Sequence, residues 1–155
     1  MMLPDLALFV LRLVVGGIFV AHGYPKLFGG PGKEVPPSAA QYLGPGFVQA
    51  MEHGSLSNFA TAMAQLGVPA PTAMAWFVAC LEFFGGIMLV IGWLTRPVAF
   101  LLAGEMAVAV RRVHFQNGLV GPGGFEFPLA LFGACIALAG LGPGHSAVEP
   151  SVVGE

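Results

Sequence analysis

The chain has 155 residues, 56% of them hydrophobic and only 9% charged, with a mean hydropathy of +0.81. An ordinary soluble domain carries about 25% charged residues, so too few polar side chains are present to cover a water-facing surface. A cytosolic enzyme of ordinary make-up and a disordered chain are excluded. Six Lys and Arg against eight Asp and Glu give a formal charge of -2, which offers no footprint for nucleic acid. The two Cys cannot build a disulfide framework.

A transmembrane helix needs about 20 mostly apolar residues. The first candidate is Leu6 to Tyr24, interrupted by Arg12. It follows Asp5 rather than a basic leader and shows no small-residue cleavage site, so it reads as a retained helix and not as a secretory signal. The stretch from Pro25 to Pro71 is too polar and too rich in Gly and Pro to span. Within it, Leu56, Phe59, Met63 and Leu66 fall at helical spacing, which predicts a short amphipathic helix from Ser55 to Leu66 at the membrane surface.

The second candidate is Thr72 to Leu94, with Glu82 inside it. Thr95-Arg96-Pro97 reads as a tight turn in which Thr95 caps the next helix. That third helix, Pro97 to Val113, contains Glu105 and ends on Arg111-Arg112. The fourth, Phe125 to Leu141, opens on Glu126 and has no charge thereafter. Gly-Pro-Gly occurs four times outside these spans and serves as turn punctuation. The expected fold is all-α: a four-transmembrane-helix bundle (about 6–24, 72–94, 97–113 and 125–141) with a short amphipathic helix in the long loop between helices 1 and 2. One domain covers 1–146, and a flexible tail covers 147–155.

Helical rise sets approximate depths. Four spans put both termini on one side; from there Arg12 lies ~9 Å in, Glu105 ~13 Å, Glu82 ~18 Å, and His22, Arg111 and Arg112 ~22–24 Å. Arg12 and Glu105 therefore share a level, and an ion pair is expected. His22, Lys26, Arg111, Arg112, His114, Asn117 and Glu126 gather toward the opposite side. The positive-inside count favours that side as cytoplasmic only through Arg111 and Arg112, so orientation stays open.

A charge at mid-membrane costs at least ~2.5–3.5 kcal/mol and persists only where it faces a partner, water or the protein interior. Ala75, Val78, Ala79, Gly85 and Gly86 lie on the same helical stripe as Glu82, and such small residues admit a neighbouring helix. Glu82 thus points inward, as a structural carboxylate or as a proton- or ligand-handling group; both readings stand. Glu82, His22 and Lys26 are the catalytic candidates. Glu105, Arg12, Arg111, Arg112, His114, Asn117 and Glu126 are candidates for handling ligand or protons. His22 and His114 are weak grounds for haem, which is not expected. No metal motif, phosphate loop or nucleophile elbow is present. Cys80 and Cys135 lie at different depths and read as packing residues.

Several segments resemble the DoxX family: Leu11-Arg12-Leu13 leading to Gly16; Ala21-His22-Gly23-Tyr24; Lys26-Leu27-Phe28; Leu66-Gly67-Val68-Pro69-Ala70-Pro71; Glu82-Phe83-Phe84-Gly85-Gly86; Gly92-Trp93-Leu94-Thr95-Arg96; Phe125-Glu126-Phe127-Pro128; and Gly142-Pro143-Gly144-His145-Ser146. The resemblance implies a multi-pass protein of the bacterial inner membrane, tied to sulfur, thiol-stress or quinone redox chemistry. Expected partners are the lipid bilayer and an oxidoreductase; no nucleic acid is expected. The function it implies is that of an accessory or anchoring subunit of a redox complex in contact with a quinone and with no cofactor of its own. The alternative read from membrane physics is a small proton or solute carrier that uses Glu82. Whether the chain is itself an enzyme stays open.

Overall fold

The computed structural model describes residues 3–149, and every regular element among them is helical. Helix α1 (Leu3–Phe28) runs straight through Pro25, past the expected end at Tyr24. Proline removes one donor from a helix interior, and here the Gly29 amide closes the end by donating to the Pro25 carbonyl at 2.9 Å. Two helices follow, not the single short one expected. In α2 (Pro37–His53) Gly44 adopts φ 80°, so Gly44-Pro45-Gly46 bends a helix where a turn was expected. In α3 (Leu56–Gln65) the Ser55 hydroxyl accepts from the Asn58 amide, an ordinary N-cap.

A second long rod is composite: α4 (Pro71–Cys80), a π-helical segment at Leu81–Gly85, and α5 (Gly86–Ile91). Next come α6 (Thr95–Val108), a second π-helical segment at Ala109–His114, a 3₁₀ turn at Phe115–Asn117, and α7 (Glu126–Leu141). α1 and the Pro71–Ile91 rod are long and apolar enough to cross a membrane, and α7 is apolar but shorter.

The chain forms two compact units. One takes the residues up to Ile18 and from Gly85 onward; the other is Phe19–Phe84. In the first, α6 packs on α7, and Ala99, Leu102 and Ala103 of α6 and Cys135 and Leu138 of α7 are buried. Ala107, one turn beyond Ala103, is exposed. Gly16 brings α1 against α5: a Cβ there would lie 2.6 Å from the Gly86 carbonyl and 2.8 Å from Val90 Cγ2. In the second unit, Phe19, Ala75, Val78 and Ala79 are buried, and the Gly30 amide donates to the Met51 carbonyl at 2.8 Å, fastening the end of α1 to α2. In both units large apolar side chains point outward, among them Phe100 and Trp76 at 67% and 54% exposure, a surface suited to lipid.

The first unit also corrects the expected cap of α6. Thr95 does not cap α6. Leu94 is left-handed, so Thr95 already belongs to the helix; its hydroxyl finds no hydrogen-bond partner among the described residues, and its amide donates to the Glu149 carboxylate at 3.2 Å. The cap therefore comes from the segment expected to be loose. Val148 and Glu149 amides donate to the Ile91 and Gly92 carbonyls at 3.1 and 3.0 Å, and His145 Nδ1 sits 2.7 Å from Asp5 Oδ1. The backbone is thus held as far as Glu149, and the rest of the expected tail lies outside the described residues. At the end of α7, Arg96 donates to the carbonyls of Ala139, Gly140 and Leu141, which otherwise lack intrahelical partners.

The neighbouring glycines of α1 give a test of this packing. Gly16→Ala should lower stability in detergent by about 1–3 kcal/mol, the usual cost of overpacking. At Gly17 a Cβ would meet nothing within 4 Å, so Gly17→Ala should be neutral or stabilising by up to about 1 kcal/mol through helix propensity. Thermal unfolding of the two single variants side by side reads the difference; equal effects would refute the close approach.

Candidate functional site

The site is built from α1 upward. His22 and Lys26 are one helical turn apart, and α1 carries both because it continues through Pro25. Gly23 lies between them in sequence and has no side chain to hold the facing rod away. A Cβ there would lie 2.5 Å from the Phe83 amide nitrogen and 2.9 Å from Glu82 Cβ. The close approach lets the Lys26 ammonium ion-pair with Glu82 Oε2. Glu82 is almost wholly buried, at 3% exposure, and it lies in the π-helical segment Leu81–Gly85. Such segments re-aim side chains out of the α-helical register and recur at functional sites.

One ring meets the pair, and others cluster elsewhere in the same unit. Lys26 Nζ lies 4.4 Å from the centroid of the Phe59 ring on α3, within cation–π range. Tyr24 meets Phe28 at 4.9 Å, Phe83 at 5.9 Å and Phe47 of α2 at 6.3 Å; Phe28 meets Phe83 at 5.4 Å, and Phe83 meets Phe84 at 5.1 Å. Lys26 of α1 thus meets Glu82 of the π-helical segment and Phe59 of α3. His22, which is exposed, lies within electrostatic reach of both Glu82 and Lys26. The three catalytic candidates are brought together here. Chemically, the arrangement offers a hydrogen-bond donor and a positive charge beside one flat apolar ring.

The other candidates lie in the first unit and do different work. Arg12 is fully buried; Nη2 donates to the Ser146 carbonyl, the guanidinium lies 5.7 Å from the Phe9 ring, and Nε and Nη1 have no hydrogen-bond partner among the described residues. The Glu105 carboxylate expected opposite Arg12 is not among its hydrogen bonds. Glu105, on α6, lies within electrostatic reach of Cys135 on α7. His114 Nδ1 and Asn117 Nδ2 both reach the Gly123 carbonyl, at 2.7 and 3.0 Å, and so hold a loop. Glu126 is exposed in the first turn of α7, where a carboxylate suits the helix dipole. Arg111 and Arg112 are exposed in the second π-helical segment. Cys80 and Cys135 are free thiols.

Sequence reasoning missed the ring cluster, the Phe59 contact and both π-helical segments. Tyr24 and Phe28 at helical spacing, followed later by Phe83-Phe84, were the available signal for the rings. The π segments leave no comparable mark in the sequence.

The family model described as DoxX matches residues 7–115, and the chain belongs to that family. It is 29% identical over 148 residues to "Inner membrane protein YphA" of Escherichia coli (strain K12), covering 92% of this chain and 87% of that protein. It is 26% identical over 136 residues to "Putative oxidoreductase CatD" of Bacillus subtilis (strain 168), covering 88% of this chain and 81% of that protein. No solved structure matches it significantly.

The buried pair makes a directional prediction. Lys26→Met strands the Glu82 carboxylate and should cost about 3–5 kcal/mol, the range for one lost partner of a buried pair. The double variant Lys26→Met/Glu82→Leu should be distinctly more stable than the single one. Unfolding in detergent across the set measures this, and a double variant that melts below Lys26→Met would contradict it.

Proposed function

We propose that this member of the DoxX family is a four-span inner-membrane protein that serves as an accessory, anchoring subunit of a redox complex, with a quinone as the ligand handled at Lys26 and Glu82. The observation that carries this reading is the ion pair of Lys26 and Glu82, its carboxylate buried and its ammonium against the Phe59 ring. A quinone is a flat apolar ring bearing two carbonyl oxygens. It needs stacking surfaces and one or two directed donors, as small-ligand sites generally combine apolar walls with a few polar groups. Lys26 can donate to a ring oxygen and stabilise negative charge that develops there. Glu82 balances the lysine so that the empty site is neutral. His22 supplies a proton donor one turn away. The electrons would come from a partner oxidoreductase.

The four-span count draws on lengths. α6 and its π-helical extension run from Thr95 to His114, about 30 Å at 1.5 Å per residue, which matches a hydrocarbon core. α7 is about 24 Å by the same rule and would be met by local thinning of the bilayer. On this reading α2 and α3 lie at the interface. The names of the two relatives, one an inner membrane protein and one an oxidoreductase, lean the same way.

Thermal unfolding with menadione as the probe tests the site. Menadione at 100 times its Kd should stabilise the purified protein by about 2.7 kcal/mol, and the Lys26→Met/Glu82→Leu variant should lose that shift. An equal shift in both proteins, or none in either, overturns the quinone site. Proton flux into proteoliposomes that Glu82→Gln abolishes, with no menadione shift, would favour the carrier instead. Affinity purification from native membranes should bring down an oxidoreductase; a protein always isolated alone would remove the accessory role.

A further inference from the structure

Two π-helical segments interrupt the long helices, and both carry charge. Leu81–Gly85 holds Glu82, and Ala109–His114 holds Arg111, Arg112 and His114. The ion pair with Lys26 accounts for the first; nothing above accounts for the second. Arg111 and Arg112 are two of only six Lys and Arg in the chain. Both are exposed, and among the described residues neither has a salt-bridge partner. Glu126, the nearest acidic residue in the downstream sequence, is exposed and forms no ion pair with them.

The loop beyond these arginines is built rather than slack. His114 and Asn117 grip the Gly123 carbonyl. The Phe125 and Glu126 amides donate to the Gly118 and Leu119 carbonyls at 3.0 and 3.1 Å, and the Phe115 and Phe125 rings stack at 5.6 Å. The loop nevertheless turns apolar side chains outward: Phe115 is 65% exposed and Val120 74%. Water suits the arginines and not Phe115, Leu119 and Val120; hydrocarbon suits the reverse. Only the membrane interface satisfies both at once, with aromatic and aliphatic groups at the acyl boundary and guanidinium groups at the phosphates.

The geometry points to a binding site for the headgroup of an anionic phospholipid of the bilayer, formed by Arg111 and Arg112 and anchored by Phe115, Leu119 and Val120. The guanidinium fork matches phosphate oxygens in a way an ammonium does not, and each basic residue near an anionic surface contributes about 1 kcal/mol. The inference rests on the membrane-embedded part of the proposed function and is independent of the quinone.

The test is competition binding of phosphatidylglycerol and phosphatidylcholine to the detergent-purified full chain, followed by native mass spectrometry. The wild type should retain phosphatidylglycerol in preference. Arg111→Gln/Arg112→Gln should weaken that lipid about 30-fold, two contributions of about 1 kcal/mol each at 1.4 kcal/mol per tenfold, and leave phosphatidylcholine unchanged. Arg111→Lys/Arg112→Lys should keep part of the preference. An unchanged unfolding temperature in the Gln variant shows that its fold is intact; if it melts lower, the Lys variant carries the comparison. Equal retention of phosphatidylglycerol by wild type and Gln variant overturns the site, as does displacement of the lipid by millimolar inorganic phosphate, which would mark a free-phosphate site. Recovery of the protein in the soluble fraction without detergent would instead overturn the membrane reading itself.

Discussion

The interaction on which the rest of the second unit depends is the ion pair between Lys26 and Glu82. A carboxylate in an apolar helix is tolerable only if its charge is met, and several local features serve that end. Gly23 removes the side chain that would hold α1 off the Phe83 backbone. α1 persists through Pro25 and so delivers Lys26 as a helical residue. The π-helical segment turns Glu82 toward it. Phe59 then covers the ammonium from α3. The helical glycine, the internal proline and the π-helical segment are each departures from the most stable local choice, and departures that agree with one another mark a functional or strained site.

In the first unit three charged side chains take another route and meet backbone groups. Arg12 meets the Ser146 carbonyl, Arg96 gathers the last carbonyls of α7, and the Glu149 carboxylate takes the first amide of α6. Helix ends carry unmatched amides and carbonyls and a partial charge of the matching sign, so one long side chain can satisfy an end that would be costly in lipid. This explains how a chain with 9% charged residues fastens its helix ends, and why the segment through Glu149 is held although its composition reads as loose.

How much was legible follows from the kind of signal each feature leaves. Apolar length announced the helical segments, and the small-residue stripe announced that Glu82 turns inward. Its partner was harder to find. Axial depth put Lys26 well away from Glu82, but depth by helical rise treats each charge as sitting at its Cα, whereas a lysine stem reaches several ångströms along the helix. The pairing of Arg12 with Glu105 rested on the same one-dimensional ruler, which knows the level of a residue and not its rotation about the axis. Gly44-Pro45-Gly46 hid α2, because the residues that usually end a helix here only bend it. The capping role given to Thr95 failed at Leu94, whose left-handed conformation has no sequence signature in a non-glycine residue.

The pairing also bears on which proposed function is the better one. A carrier that moves protons on Glu82 must take up and release a proton at a carboxylate already bound to an ammonium, so every cycle breaks and remakes a buried ion pair at a cost of several kcal/mol. A ligand that accepts a hydrogen bond from Lys26 leaves the pair standing, because an ammonium has three donors and Glu82 occupies one of them. The ring beside it reinforces the difference. The Phe59 face against the ammonium supplies a stacking surface that a flat ligand requires. The same residues that make Glu82 a poor carrier of protons therefore make Lys26 a good anchor for a ring oxygen.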